Sequence, residues 1–391
     1  MAEHHGWEIS DVSKSLALMF LVLATMAPFG SALMLRIGVI KVVILSGMLM
    51  VSGLIITILA SEKWHLLIGI GAFLGTASGI LGLGLSATIA IRWFEEKRGL
   101  VVGILTSAFA AGQLIFVPFI GWLTTIVDWR LAILPAAIGS ITCAFLFFGF
   151  GKNWPVDLGL KPYGAQRIFT PPQNTLDNPF INSFNKLRSA LPHPGFWILA
   201  TTFFICGLTS NGLVTQHFIP FCADNNVGII AASSYLALMG IFNFLGTTGS
   251  GWLSDRFDNF KLLAAYYGFR GLSLLYLPYS SFDALSLSVW ALFFGLDFIA
   301  TVPPTVRLSG KFFGPVDGPI IFGWIFAFHQ LGAAVAAFGA GVSRDILSTY
   351  NPAFFSAGVV SIFATILIVG FKYIRLDTFG NDKTSTPHTN L

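Results

Sequence analysis

The chain of 391 residues is too apolar for the polar surface of a soluble protein. Hydrophobic residues make up 55% of it, charged residues make up only 10%, and the mean hydropathy is +0.77; a typical soluble domain is about 45–50% apolar and about 25% charged. The net charge of +4 gives no reason to expect a nucleic-acid partner in such a chain. The three cysteines are widely spaced and indicate neither a disulfide framework nor a metal site.

Eleven apolar segments are long enough to cross a bilayer as helices, for which about 20 residues are needed. They are 13–35, 39–60, 65–91, 99–123, 130–150, 196–220, 229–253, 261–280, 284–306, 318–342 and 353–373. The sequence therefore predicts an all-α, polytopic membrane protein. Its predicted parts are an N-terminal bundle of five helices, a cytoplasmic linker, a C-terminal bundle of six helices and a cytoplasmic tail, over 1–150, 151–194, 195–376 and 377–391.

The loop cations predict the orientation of these spans. Of the 22 Lys and Arg residues, 17 lie on one side of the predicted topology, four lie on the other, and Arg270 lies inside a span. The side rich in Lys and Arg is the cytoplasmic one. The C-terminus is then cytoplasmic and the N-terminus is outside, in the plasma membrane (the inner membrane of a bacterium).

The two halves repeat each other at an offset of 220 residues. The pairs at this offset are Arg36 and Arg256, Lys41 and Lys261, Gly112 and Gly332, and Gly121 and Gly341. Four such pairs predict two duplicated bundles in parallel orientation. The span 196–220 has no counterpart in the first half. We expect from this that a first helix is missing; a natural variant with eleven helices is the alternative.

A charged motif stands at the cytoplasmic end of the seventh span. It reads Gly251-Trp252-Leu253-Ser254-Asp255-Arg256-Phe257, with Lys261 after it. A glycine lets a helix approach a neighbour closely. Asp255 can accept N–H groups at a helix N-terminus, and the two cations can bridge carboxylates.

This motif resembles the G-x-L-x-D-R-F-G-x-[KR] signature of the major facilitator superfamily, with Asp258 in place of the second glycine. The resemblance implies that Gly251, Asp255, Arg256 and Lys261 latch the cytoplasmic gate. The first-half copy keeps Arg36 and Lys41 but has Leu35 in place of the acid. We therefore expect either a weaker lock there or a remnant that only orients the loop.

Other stretches resemble the monocarboxylate-porter and oxalate/formate-antiporter-like branches of that superfamily. They are 92–99, 295–305 and 323–334. The resemblance implies a two-bundle fold that has twelve helices in the family and about eleven here. It also implies that the substrate is a small organic anion such as a carboxylate.

Polar side chains inside the spans are candidates for the substrate or coupling site, because burying them in lipid is costly. Arg270 and Asp297 both fall near the midplane, and we expect them to pair. Either Arg270 helps to bind an anionic substrate, or Asp297 carries a coupling proton, or the two form a structural ion pair between adjacent helices. The further candidates are His329, Gln330, Asn211 and Gln113.

The sequence contains no GxSxG, HExxH or Walker-type motif, so it predicts neither an enzyme nor a primary pump, and no cofactor. The leading hypothesis is a monomeric secondary transporter that works by alternating access, either as a proton-coupled symporter or as an exchanger. Two alternatives stay open. One is a truncated membrane protein or sensor that does not transport, which the missing helix and Leu35 favour; the other is an exporter of amphipathic compounds.

Overall fold

The computed structural model describes residues 6–94, 98–165 and 178–380. Over these ranges the chain is helical, and the one β contact found there is an isolated bridge between Phe94 and Tyr163. The predicted all-α class is thereby confirmed.

Five helices precede the linker. They are α1 (Ile9–Ile37), α2 (Val39–Ile58), α3 (63–93), α4 (Arg98–Ile126) and α5 (Trp129–Phe150, with a turn at Ile133). The middle of α3 is π-helical over Leu67–Leu74. A π-helix has hydrogen bonds between residues i and i+5 and is found mostly as a short segment within an α-helix.

Seven helices follow. They are the linker helix α6 (Pro179–Ala190), α7 (Pro194–Asp224), α8 (Ile229–Arg256), α9 (Asn259–Tyr276), α10 (Ala284–Gly314), α11 (from Gly314 to Leu347) and α12 (Asn351–Gly380). α7 is π-helical over Leu208–Val214. A turn at 298–301 interrupts α10. Gly314, with φ of 82° and ψ of 172°, separates α10 from α11, a backbone conformation that favours glycine.

Nine helical segments in the described ranges are long and apolar enough to cross a membrane. They belong to α1, α2, α3, α5, α7, α8, α10, α11 and α12, and a shorter apolar segment, Ile115–Ile126, lies in α4. The other predicted span, 261–280, coincides with α9. The chain is therefore a multi-pass membrane protein, as predicted.

Side-chain caps begin the helices that follow polar loops. Asp258 accepts hydrogen bonds from the backbone N–H groups of Phe260 and Lys261 at 2.8 and 3.2 Å, and Asp283 accepts one from Ser286 at 2.7 Å. These N-cap contacts pair N–H groups that have no partner within the helix, and they fix where α9 and α10 begin.

The repeat of the sequence is also visible in the packing of the two halves. α1 packs against α11, and α8 packs against α4. Adding 220 to the residue numbers of α1 gives those of α8, and adding 220 to those of α4 gives those of α11. The two contacts between the halves are therefore repeats of one contact.

The same relation holds for individual residues. A Cβ atom on Gly341 would overlap the side chain of Ser13, and a Cβ atom on Gly121 would overlap that of Ser233. Ser13 and Ser233 differ by 220, as Gly121 and Gly341 do. Such reciprocal contacts are what a two-fold relation between the halves requires. The repeat thus produces two equivalent small-residue crossings.

Candidate functional site

A buried ion pair lies between α9 and α10. Arg270 is fully buried and Asp297 is 5% exposed, and Nε of Arg270 donates to Oδ2 of Asp297 at 2.5 Å. The structure therefore brings together the two residues that we expected to pair. Leaving either charge alone in this position would cost several kcal/mol, about 3–5 in other proteins.

The remaining N–H groups of Arg270 also have acceptors. Nη2 donates to the carbonyl oxygens of Asp297 and Phe298 at 2.8 and 3.2 Å. Nη1 donates to Sγ of Cys206 at 2.9 Å and lies 3.4 Å from Oγ1 of Thr209. The turn at 298–301 interrupts the helix and frees carbonyl groups at this level. The guanidinium group consequently ties α9 to both α10 and α7.

The residues beside Cys206 contact α10 and α11. Sγ of Cys206 lies 3.2 Å from Oγ1 of Thr301 in the turn that interrupts α10. The imidazole ring of His329 in α11 is centred 4.8 Å from the ring of Phe203 in α7. The polar contacts thus run from Asp297 through Arg270 to Cys206 and Thr301, and His329 packs against the same part of α7.

Three buried atoms near this network have no hydrogen-bond partner within the part of the chain that the structure describes. They are Oδ1 of Asp297, Nδ1 of His329 and Oε1 of Gln330. A buried polar atom without a partner costs free energy, and such an atom is a place where a proton, a water molecule or a substrate can bind.

The other two candidates do not join this network in the described contacts. Asn211 is half-buried in the π-helical part of α7. Gln113 belongs to α4, and its side chain lies outside the described part of the structure. Nothing in the sequence singles out Cys206, because a lone cysteine in an apolar span is usually a small packed side chain. Its role becomes visible only from its distance to Arg270.

The motif at the end of α8 ties helices together within the C-terminal half. The Asp255 carboxylate pairs with Arg307 of α10, and Arg307 also donates to the carbonyl oxygen of Ser254 at 3.1 Å. The guanidinium group of Arg256 lies 3.9 Å from the centre of the Trp252 ring. The first of these contacts fixes the C-terminal ends of α8 and α10 to each other.

Asp258 and Gly251 are two further residues of the motif region. Asp258, which replaces the glycine of the family signature, pairs with Lys372 of α12 at 2.8 Å. Among described residues, no atom lies within 4 Å of the Cβ position of Gly251. The close approach between α8 and α10 occurs instead at Gly246, against the Leu296 backbone.

A cavity of about 440 Å³ borders the motif and is lined in part by Arg256 and Lys261.

The first-half copy of the motif is held differently. Arg36 and Lys41 are exposed. Arg92 of α3 donates to the carbonyl oxygens of Met34 and Asn153 at 3.2 and 3.4 Å. It thereby contacts the end of α1, where the signature would place an acid and this sequence has Leu35.

The linker helix α6 contacts both halves. The ring of Phe29 in α1 lies 5.8 Å from that of Trp324 in α11, and the ring of Phe184 in α6 lies 5.3 Å from each. Trp324 donates to Ser183 at 3.1 Å. The aromatic cluster of Phe29, Phe184 and Trp324 therefore joins α6 to the crossing of α1 and α11.

Comparison with known proteins identifies the family. A model of the Major Facilitator Superfamily matches residues 1–337. The chain belongs to the major facilitator superfamily. The resemblance inferred from the motif at the end of α8 is confirmed.

The relatives of this superfamily member include monocarboxylate transporters and an MFS-type transporter. Monocarboxylate transporter 13 of Rattus norvegicus is 24% identical over 336 residues, which cover 85% of this chain and 73% of the relative. Monocarboxylate transporter 11 of Mus musculus is 25% identical over 277 residues, 70% of this chain and 58% of the relative. The uncharacterized MFS-type transporter YcxA of Bacillus subtilis is 23% identical over 374 residues, 90% and 83% of the two chains. The chain is accordingly a secondary transporter of small solutes and not an enzyme.

Proposed function

We propose that this transporter moves a small organic anion of the carboxylate class across the plasma membrane by alternating access. A proton moving with the substrate, or a counter-substrate moving against it, drives the cycle. The monocarboxylate transporters among its relatives support the substrate class. The cation-rich loops and the linker lie on the cytoplasmic side, and the C-terminus lies there as well.

One observation carries the mechanism: the two equivalent crossings between the halves. Gly341 meets Ser13 where α11 crosses α1, and Gly121 meets Ser233 where α4 crosses α8. Helices that cross through small side chains can change their angle without losing interlocked bulky contacts. Two such crossings related by a two-fold relation allow the halves to rock as bodies around a site between them.

Within this mechanism Arg270 and Asp297 position helices and do not bind the substrate. Every N–H group of Arg270 has an acceptor in the protein, so none is left for an anion. The pair keeps α7, α9 and α10 together while the C-terminal half moves. Asp255 acts with Arg307 in the same way at the cytoplasmic end.

His329 and Gln330 are the substrate or coupling residues that the contacts favour. Nδ1 of His329 and Oε1 of Gln330 are buried and unpartnered in the described structure, and both lie on α11, which packs against the other half. The unpartnered ring nitrogen of His329 can form a hydrogen bond to the substrate during the cycle. Asn211 and Gln113 remain further candidates on α7 and α4.

Uptake into proteoliposomes tests this function. The purified chain is assayed with labelled monocarboxylates and dicarboxylates under an inward proton gradient, with unlabelled carboxylate inside, and with neither. Saturable uptake in the first or second arm supports the proposal and identifies the driving force. Absence of saturable uptake for every carboxylate, from protein that is folded and inserted, contradicts it.

A second candidate function is a membrane protein that binds a carboxylate without transporting it. Leu35, which stands where the family signature has an acid, favours it, because a motif without its acid would latch the gate less firmly. Thermal stabilisation by a carboxylate without any flux would identify this function.

A further inference from the structure

Arg256 and Lys261 stand apart from the ion pairs at the end of α8. Both side chains are exposed, and within the described ranges neither forms an ion pair with a carboxylate. The acids beside them are already paired, since Asp255 contacts a cation of α10 and Asp258 contacts a cation of α12. Two cations of the motif therefore lack an anionic partner in this part of the structure.

The cavity beside the motif combines these two charges with apolar side chains. Its volume of about 440 Å³ falls in the range of small-molecule pockets, about 300–1,000 Å³. It is lined by Leu253, Arg256, Phe257, Asp258, Lys261 and Leu262. Because the Asp258 carboxylate is held by Lys372 at 2.8 Å, it does not neutralise both cations of the cavity. The cavity therefore suits an anion that also has an apolar part.

The position of the cavity along α8 is that of a membrane–water interface. The candidate span Ile229–Arg256 ends at Arg256. Trp252, one turn earlier, is 55% exposed, and the guanidinium group of Arg256 lies 3.9 Å from the centre of its ring. Tryptophan is enriched where the headgroups of a bilayer meet the hydrocarbon, and an arginine at a helix end extends towards the headgroups. Phe257, which is 56% exposed, adds a second apolar surface at this level.

An anionic phospholipid is the ligand whose chemistry fits this position. Its phosphate accepts charge-assisted hydrogen bonds, which a guanidinium group donates in pairs and an ammonium group donates as a point charge. Its acyl chains need an exposed apolar surface, which Trp252 and Phe257 provide. Basic pockets between transmembrane helices bind anionic headgroups in this way. A small soluble anion would contact the cations but not the exposed aromatic residues.

The N-terminal half repeats the cations but not their aromatic neighbours. Arg36 and Lys41 are the repeat equivalents of the two cations, and both are exposed. The positions of the exposed aromatic residues are taken by Ala32 and Ile37. The same two charges therefore occur there without the ring of a tryptophan or phenylalanine beside them.

A linker residue also lies beside the N-terminal copy. Gly38 is the repeat equivalent of Asp258, which lines the cavity, and a Cβ atom on Gly38 would overlap the side-chain amide of Asn153. Oδ1 of Asn153 accepts a hydrogen bond from the backbone N–H of Ile40 at 3.3 Å. A protein side chain thus occupies this position in the N-terminal half, so that half offers an internal control.

We infer that the cavity bordered by Arg256 and Lys261 binds the headgroup of one anionic phospholipid, with Trp252 and Phe257 against its acyl chains. The lipid phosphate lies between the two cations, one at the last residue of α8 and the other in the first turn of α9. A bound lipid therefore joins these two helix ends across the short connection at 257–258. This inference does not depend on the proposed substrate, because neither cation belongs to the proposed substrate site.

Lipid retention by the purified full chain tests the inference. The protein is incubated in detergent with phosphatidylglycerol, phosphatidylcholine or inorganic phosphate, and native mass spectrometry counts the bound lipids. We expect one phosphatidylglycerol molecule to be retained more tightly than phosphatidylcholine. The double variant Arg256→Gln with Lys261→Gln should weaken this tightest site about thirtyfold, because each cation near a membrane surface contributes about fivefold.

The repeat provides the matched control. The double variant Arg36→Gln with Lys41→Gln removes two charges from the equivalent positions and should leave the tightest site unchanged. Lys261→Arg keeps the charge and should bind nearly as the unmodified protein does. These variants alter exposed side chains, so their melting temperatures in phosphatidylcholine nanodiscs should match that of the unmodified protein. If a double variant melts lower, Lys261→Gln alone should weaken the site about fivefold.

Three results would overturn the inference. One is an equal loss of phosphatidylglycerol in the two double variants, which is expected if the lipid only follows the charge of the surface. Another is equal retention of phosphatidylglycerol and phosphatidylcholine by the unmodified protein. The third is displacement of phosphatidylglycerol by an equal concentration of inorganic phosphate, which would make the cavity a site for a soluble anion.

Discussion

Arg270 shows how one buried residue can organise three helices. Its guanidinium group satisfies two carbonyl oxygens, one carboxylate and two side chains of α7. The sequence could place Arg270 and Asp297 near the midplane, because both stand inside apolar segments. It could not reveal the carbonyl acceptors or Cys206, because these depend on the turn at 298–301 and on which face of α7 meets α9.

We expect Asp297→Ala to destabilise the protein by about 3–5 kcal/mol, because it leaves Arg270 charged and buried without its carboxylate. The double variant Arg270→Met with Asp297→Leu should lose less, since it leaves no unpaired charge. Thermal unfolding in detergent measures both. Asp283→Ala, which removes an exposed cap, should cost only about 1 kcal/mol. A double variant less stable than either single one would contradict a positioning role.

The Asp255 and Arg307 pair is half-exposed or more on both sides, so it contributes little to stability, about 0–1 kcal/mol. Its proposed role is to hold α8 to α10 as the gate moves. Asp255→Asn should therefore leave the melting temperature nearly unchanged and lower uptake about fivefold or more. Asp283→Asn is the matched control at the opposite end of α10. Uptake equal to that of the unmodified protein would remove the gate role.

Asp258 makes part of the stability depend on pH. Burial alone would raise its pKa, but hydrogen bonds from Lys372 and from the backbone of Lys261 and Phe260 outweigh burial and lower the pKa below its ordinary value of 3.8. Because the pKa of Asp258 is lower in the folded protein, its carboxylate stabilises the fold at pH values above the pKa of the unfolded state. This stability is lost as the pH falls through the pKa of the folded state. The melting temperature should decrease as the pH is lowered below about 4, and this decrease should be smaller in Asp258→Asn. An unchanged pH profile would contradict the contribution.

The sequence predicted the helices more completely than it predicted the contacts between side chains. Apolar segments of membrane-spanning length predicted α1 to α5 and α7 to α12 because lipid requires every backbone group to be paired within a helix. The π-helical stretches in α3 and α7 and the turn in α10 left no comparable signal. They arise where glycines and neighbouring helices change the local hydrogen bonding, which a single sequence does not show.

The N-terminal end of α1 is capped from the other half of the molecule. Oδ2 of Asp345 in α11 accepts the backbone N–H of Ser10 at 2.8 Å. An N-cap contact is worth about 1 kcal/mol, so Asp345→Ala should shift the equilibrium about fivefold towards separation of this end of α1 from α11. Distances between spin labels on α1 and α11 measure that shift. Asp345→Asn keeps an acceptor and should shift it less; equal effects of the two variants would contradict capping.

For the whole molecule, the repeat predicted more than composition or any single motif. Four residue pairs at one offset predicted that the halves are related, and the packing of α1 on α11 and of α8 on α4 agrees with that relation. The offset could not predict which contacts hold the motif in each half. In the C-terminal half Asp255 pairs with Arg307, whereas in the N-terminal half Arg92 contacts the end of α1. The contacts differ because the two copies of the motif have diverged at the acid position.

The two-fold relation predicts that equivalent variants have equivalent effects. Gly121→Leu would force α4 away from Ser233, and Gly341→Leu would force α11 away from Ser13. Overpacking of this kind costs about 1–3 kcal/mol and acts only when the crossings are closed. Each variant should therefore lower uptake about tenfold and increase the spin-label distance across its crossing, while Gly370→Leu should change neither. If one crossing tolerates leucine and the other does not, the halves do not rock symmetrically, and the mechanism proposed for this transporter must place the motion at the sensitive crossing alone.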